Sequence, residues 1–199
     1  VAARCAAVDI ERLERFSSAL TAESQKHNLI SRGSVETMWQ RHIADSAQLL
    51  DHVPRETSGL WMDLGSGAGF PGVVIAIMRP EQRCILVESR NLRIQWLNRM
   101  IDTLEIANCS VVGEDVRRME TIEASIISAR AFAPLARLIG QSARFSTTAT
   151  RWVLPKGQSA AQEVAMLPPR QRSMFHVKQS VTDEGAGIVV GTGQVASTV

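Results

Sequence analysis

The sequence predicts an α/β protein, a mostly parallel sheet with helices on both faces. A C-terminal antiparallel strand pair and an N-terminal helical extension complete it. Three observations predict this class. From Leu60 onward, short apolar runs alternate with helix-like segments, as in a sheet buried on both faces. The first run ends in Asp63 and passes into Gly65-Ser66-Gly67-Ala68-Gly69-Phe70-Pro71-Gly72, just ahead of an apolar helical stretch. Two final strand-like runs flank Asp183-Glu184-Gly185, which reads as a hairpin turn.

In chain order, residues 9–26 place Ile10, Leu13, Phe16 and Leu20 at helical spacing, so an amphipathic helix is expected. Ser34 reads as the N-cap of a second helix running to Leu50. Pro54 and Gly59 mark the passage into the main unit, giving a helical extension over 1–55 and one globular unit over 56–199. Strands are expected near 59–64, 83–88, 109–112, 124–129 and 149–154, with helices near 71–79, 90–104, 115–120 and 134–143. A further helix at 159–167 leads through Pro168-Pro169 to strands at 172–180 and 187–194.

Composition narrows the function classes. A chain of 199 residues, 45% apolar, can bury a full core, and its net charge of +2 announces no strong polyanion binder. Of 22 basic residues 19 are Arg, which suits phosphate and guanine contacts but also follows from GC-rich coding. Cys5, Cys84 and Cys109 are odd in number and show no paired spacing, so neither a disulfide framework nor a zinc site is expected. No apolar run approaches the roughly 20 residues of a membrane span. The start, Val1-Ala2-Ala3-Arg4, has no signal-peptide core and reads as processed or trimmed. A cytoplasmic protein with reduced thiols is the expectation.

The glycine loop formally matches a dinucleotide fingerprint, with Glu88 about where a ribose-binding acid is wanted. Two details favour S-adenosyl-L-methionine. Asp63 would repel a pyrophosphate but suits a ligand carrying an ammonium and a sulfonium. Pro71 removes an N–H that a phosphate cradle would use. The candidate cofactor residues are therefore Asp63, Gly65, Gly67, Gly69 and Phe70 of the loop, then Glu88 for the ribose hydroxyls. Asp115 is placed for the adenine amino group with Val116 beside it; the alternative for Asp115 is an ordinary helix N-cap. A nicotinamide-dependent oxidoreductase remains the competing enzyme class, and a non-catalytic cofactor-binding module the competing non-enzyme.

Beyond the loop, several segments resemble one family. Asn28-Leu29-Ile30, Arg41-His42-Ile43-x-Asp45-Ser46, the loop with its Phe70-Pro71-Gly72 ending, Ser128-Ala129-Arg130-Ala131-Phe132-Ala133 and Leu154-Pro155-Lys156-Gly157 occur in the order seen in the RsmG (GidB) family. The resemblance runs from about Asn28 to the C-terminal strands. It implies a Rossmann-like class I S-adenosylmethionine-dependent methyltransferase acting at guanine N7 of bacterial 16S rRNA, in the 530 loop. It also implies that Gly65, Phe70, Asp115, Val116 and Arg130 line the cofactor site. The alternative within the same chemistry is a methyltransferase of another substrate.

Arg130 and Lys156, each just past a strand end, are the candidate catalytic residues, directed at cofactor carboxylate, rRNA phosphate or guanine O6. His42 and Asp45 share a helical face and either pack on the glycine loop or shape the substrate mouth. His42 has no second ligand at metal spacing, so no metal is expected. Trp39 is read as core, with base stacking as the alternative. Arg90, Arg93, Arg99, Arg117, Arg118, Arg170 and Arg172 would together form a phosphate footprint on the pocket face. The expected partner is 16S rRNA or the small ribosomal subunit, bound by a monomer and away from any membrane.

Overall fold

The computed structural model describes residues 6–196, apart from the side chain of Arg32, so Cys5 lies outside the described residues. Helix α1 (Ala7–His27) buries Leu13, Phe16, Leu20 and Ser24 along one stripe. It stops at Asn28, whose left-handed backbone (φ 48°) is a common helix ending. Then come α2 (Arg32–Val35), a π-helical turn (Trp39–Ala44), α3 (Asp45–Ala47) and a 3₁₀ stretch (Gln48–His52).

The single helix expected over Ser34–Leu50 is therefore broken, and Ser34 is not its cap. Ser31 holds the N-cap position of α2, its hydroxyl 2.6 Å from that of Ser34. Side chains here also bond across the molecule, to the segment before the last strand. Gln40 Nε2 donates to the Thr182 carbonyl at 3.2 Å, Thr182 Oγ1 donates to Asp45 at 2.9 Å, and the Val181 N–H donates to Gln48 at 2.9 Å. Such tertiary bonds override the local periodicity that favoured one helix.

The main unit runs β1 (Leu60–Leu64), α4 (Gly72–Met78), β2 (Arg83–Val87), α5 (Asn91–Thr103), β3 (Cys109–Val112) and β4 (Ala124–Ser128). It continues with α6 (Leu135–Ser142), β5 (Ser146–Gly157), α7 (Ala160–Ala165), α8 (Pro169–Arg172), β6 (Phe175–Gln179) and β7 (Gly187–Thr192). The sheet order is β3-β2-β1-β4-β5-β7-β6. Strands β1 to β5 are parallel, and β7 runs antiparallel between β5 and β6. Because β1 has β2 on one side and β4 on the other, strand order reverses there, which opens a crevice at the carboxyl ends of the strands.

Two apolar layers sandwich the sheet. On one face α1, α4 and α5 pack on Trp61, Cys84 and Leu86. On the other, α6 and its neighbours pack on Met62, Leu64, Ile127 and Trp152. All seven residues of α4 are buried, so it is apolar all round, as a helix between sheet and outer helices must be. Cys84 and Cys109 are buried free thiols paired across β2 and β3.

Three further expectations change. The helix placed at 115–120 is a turn, because Asp115 Oδ1 caps the Arg117 N–H at 2.9 Å, a local bond that competes with helix formation. The strand placed at 172–180 begins only at Phe175, after α8, which starts at Pro169 where proline fits a first helical turn. The fifth strand is longer than 149–154, its C-terminal extension paired with β7 and its first residue, Ser146, with β4. The glycine-rich end also gains a cause: a Cβ at Gly191 would stand 2.5 Å from Phe175 Cδ1, so the ring packs directly on the strand backbone.

Candidate active site

Strand β1 delivers Asp63 to the base of the glycine loop. The loop is held from all sides by backbone donors and buried acceptors. The Gly65 and Ser66 N–H groups donate to the Val87 carbonyl at 2.8 and 3.1 Å, tying the loop to the end of β2. The Gly67 N–H donates to Glu88 at 3.0 Å. Trp96 Nε1 on α5 donates to the Ala68 carbonyl at 2.9 Å. Beneath the loop, Asp63 accepts from the Gly72 N–H at 3.1 Å and from Ser128 Oγ at 2.7 Å. Its carboxyl is 1% exposed, and burial pushes the pKa up to about 6 against the pull of those bonds. Asp63 thus anchors the start of α4, and it is not among the residues lining the two cavities that flank the loop.

Above the loop lies a cleft of about 280 Å³, lined by Gly65, Glu88, Asp115, Val116, Phe132 and Arg93 among others. Glu88 is 5% exposed and also accepts the Ser89 and Arg90 N–H groups at 2.8 and 3.0 Å, with Arg93 at 3.7 Å. Asp115 is paired with Arg117, whose hydrogen bonds pull its carboxyl well below the usual range. Gly65 has φ +68°, and a Cβ there would meet Phe132 Cδ2 at 2.4 Å, so the aromatic ring covers bare backbone. Gly67, Gly69 and Phe70 shape the loop without lining this cleft.

Phe70 is buried at the centre of a stack. It lies 5.4 Å from Phe16 and 4.8 Å from the His42 ring, with the Arg130 guanidinium 5.0 Å from its centroid. His42 has no hydrogen-bond partner for either buried ring nitrogen. Burial, with Arg130 and Arg41 nearby, pulls its pKa down to about 4, so the imidazole is neutral at physiological pH.

A second cavity, about 970 Å³, opens between the N-terminal segment and the ends of β4 and β5. Arg41, His42, Asp45, Arg130 and Lys156 line it. Arg130 Nη1 donates to the Arg41 carbonyl at 3.1 Å and approaches Asp45 Oδ2 at 3.4 Å. Lys156 is committed within the protein: Nζ donates to the Ala133 carbonyl and sits 3.1 Å from Glu163 Oε2. Burial pushes the Glu163 carboxyl up, but bonds from Ser159, the Leu135 N–H and Lys156 outweigh it and lower its pKa. Lys156 therefore braces the segment before α6. Ala131, Phe132 and Ala133 belong to the walls of both cavities, so one short segment separates cleft from mouth.

The structure redistributes the remaining candidates. Trp39, read as core, is 39% exposed on the π-helical turn. Arg90, Arg93 and Arg117 line the cleft, but Arg99 pairs with Glu23 of α1 at 2.7 Å and stacks on Trp96. Arg118, Arg170 and Arg172 line neither cavity. Arg137 and Gln141 do line the cleft, and their four-residue spacing on α6 was the signal that could have found them. Glu163 and Gln48 gave no signal, since their partners lie far off in sequence. Among the described residues no cluster of His, Cys, Asp or Glu could hold a metal, and no helix is long and apolar enough to cross a membrane.

Comparison with known proteins supports this architecture. The mitomycin 7-O-methyltransferase MmcR superposes with a TM-score of 0.63 at 11% identity, over 94% of this chain and 69% of that one. The E81Q mutant of MtNAS, solved in complex with S-adenosylmethionine, gives 0.60 at 17% identity, over 89% and 73%. The fold is the Rossmann-like fold of class I S-adenosylmethionine-dependent methyltransferases. In sequence, the chain is 57% identical over 194 residues to the ribosomal RNA small subunit methyltransferase G of Erythrobacter litoralis, covering 98% of this chain and 93% of the relative. The family model for rRNA small subunit methyltransferase G matches residues 9–187. With the glycine loop, the Arg41–Ser46 segment and the Arg130 segment inside that span, the chain belongs to the rRNA small subunit methyltransferase G (GidB) family.

Proposed function

We propose that the protein transfers a methyl group from S-adenosyl-L-methionine to N7 of a guanine in small-subunit 16S rRNA, in the 530 loop by family resemblance. The observation that carries this reading is the shared wall at 131–133, with a nucleoside-sized cleft on one side and a wide, partly cationic mouth on the other. The cleft fits the cofactor: Glu88 can take ribose hydroxyls, and bare backbone at Gly65 allows close approach. Asp115 and Val116 in the cleft lining are the proposed adenine contacts, whereas Arg130 lines the mouth across the shared wall, on the substrate side. When bound, the cofactor supplies a methyl carbon activated by a sulfonium.

Guanine N7 offers an in-plane lone pair and no proton, so this chain needs no general base. The mouth agrees: His42 is neutral and covered, and Lys156 is already ion-paired. What remains for the protein is to align the base, exclude water and accommodate the positive charge that develops on it. Asp45, 18% exposed at the mouth, supplies negative potential there. Residues 1–55 would contribute the substrate wall through Arg41–Asp45, and residues 56–199 the cofactor side. An rRNA substrate would place the enzyme in the cytoplasm.

The test is label transfer. The purified protein, methyl-labelled cofactor and small subunits from cells lacking the gene should yield labelled 7-methylguanosine on nucleoside digestion. Label in another nucleoside, or in none, overturns the proposal.

A further inference from the structure

Beside Arg130, the mouth holds one acceptor whose capacity the fold leaves open. Asp45 Oδ1 is fully used, accepting from Gln48 Nε2 at 2.8 Å and Thr182 Oγ1 at 2.9 Å. Oδ2 has only the long approach of Arg130 Nη1 at 3.4 Å. Arg130 is itself oriented by the Arg41 carbonyl at 3.1 Å and by the Phe70 ring. A carboxylate oxygen and a guanidinium edge thus stand side by side in one cavity wall. Each is fixed by bonds that leave further hydrogen-bonding capacity for a ligand.

We infer that Asp45 is a specificity-determining residue, accepting the N1–H or 2-amino hydrogen of the target guanine while Arg130 donates to O6. The inference rests on the guanine-N7 reading above and adds how the base is told apart. With N7 turned toward the shared wall, O6 is its neighbour on the ring and the N1–H and 2-amino donors follow. The cation-then-anion order of Arg130 and Asp45 matches that edge. Adenine in the same pose would set its amino group against the guanidinium and its bare N1 against the carboxylate. A site that leaves buried polar groups unpaired rejects the wrong ligand strongly.

Asp45→Asn separates reading from scaffolding. Asn can keep Oδ1 as acceptor for Gln48 and Thr182 while turning the Oδ2 position into a donor. Small-subunit RNA carrying guanosine, inosine or N1-methylguanosine at the methylated position would be assayed for transfer with the full chain. Wild-type protein should prefer guanosine over at least one of the two analogues by about 10- to 100-fold, as for loss of one hydrogen bond to a charged group. Asp45→Asn should collapse that preference, while its affinity for the cofactor product S-adenosylhomocysteine stays within about threefold. Asp45→Glu, which keeps the carboxylate, should restore part of the preference.

An unchanged preference in Asp45→Asn overturns the assignment, as does a loss of cofactor-product affinity matching the loss of transfer. The substrate arm stands without any variant: equal use of both analogues and guanosine by the wild type also overturns it. If the wild type fails to label guanosine-containing RNA at all, the guanine-N7 reading falls and takes this inference with it.

Discussion

Asp63→Ala tests the loop through a pH dependence of unusual sign. The wild-type carboxyl is buried and takes two protein hydrogen bonds, from Ser128 and the Gly72 N–H. Removing it leaves two buried donors without that acceptor, at about 1–3 kcal/mol each. Burying the ionised form offsets part of this, because the folded pKa of about 6 lies above the ordinary aspartate value of 3.8. At about 1.36 kcal/mol per unit, the shift is equivalent to roughly 3 kcal/mol against the charged state.

For an acid whose folded pKa is raised, the stabilising contribution is fully present below the unfolded pKa and lost as pH rises through the folded one. Between about pH 7.5 and pH 5, the carboxyl therefore gains about 1–2 kcal/mol of stabilisation in the wild type, and the variant gains none. Guanidinium denaturation of both proteins at the two pH values should show a stability gap that widens on acidification. A gap that stays flat or narrows refutes the buried, raised carboxyl. Cofactor affinity should fall as well, through the loosened start of α4 rather than through a lost ligand contact.

Other outcomes follow from the same geometry. Gly65→Ala forces a Cβ toward Phe132 at a positive φ, so cofactor affinity by calorimetry should drop about tenfold or more while the protein stays folded. Unchanged affinity would place the cofactor elsewhere. Arg130→Ala should lower methyl transfer by about 100-fold and cofactor affinity by much less, as for a group acting mainly after the cofactor is bound. Equal losses would make Arg130 a cofactor ligand only. His42, with its pKa near 4, should show no imidazole titration by NMR between about pH 5.5 and 8, and transfer should not lose activity through its protonation in that range. A titration near its ordinary value contradicts the buried stack on Phe70.

The parts of this molecule legible in sequence are those where local chemistry decides. Strand β1, with Leu60, Trp61 and Met62 running into Asp63, reads as buried because it is buried on both faces. Helix α1 buries Leu13, Phe16 and Leu20, three of the residues that periodicity marks. The Trp39–Ala44 turn was illegible because Asp45 and Gln48 are claimed by Thr182 and Val181, more than 130 positions away. Periodicity has no access to such bonds. The roles of Asp63 and Lys156 were likewise legible only by position. Sequence put both at strand ends on the ligand side, but only burial and partners show one as a loop anchor and the other as a brace.

Methylation of a small-subunit rRNA guanine at N7 is read out by mapping 7-methylguanosine in 16S rRNA. RNA from cells carrying the gene, lacking it, and complemented with wild type or Arg130→Ala should be compared at single-nucleotide resolution. One 7-methylguanosine should vanish with the gene, return with the wild type and fail to return fully with the variant. An unchanged 7-methylguanosine map in the cells lacking the gene would rule out this chain as the N7 methyltransferase.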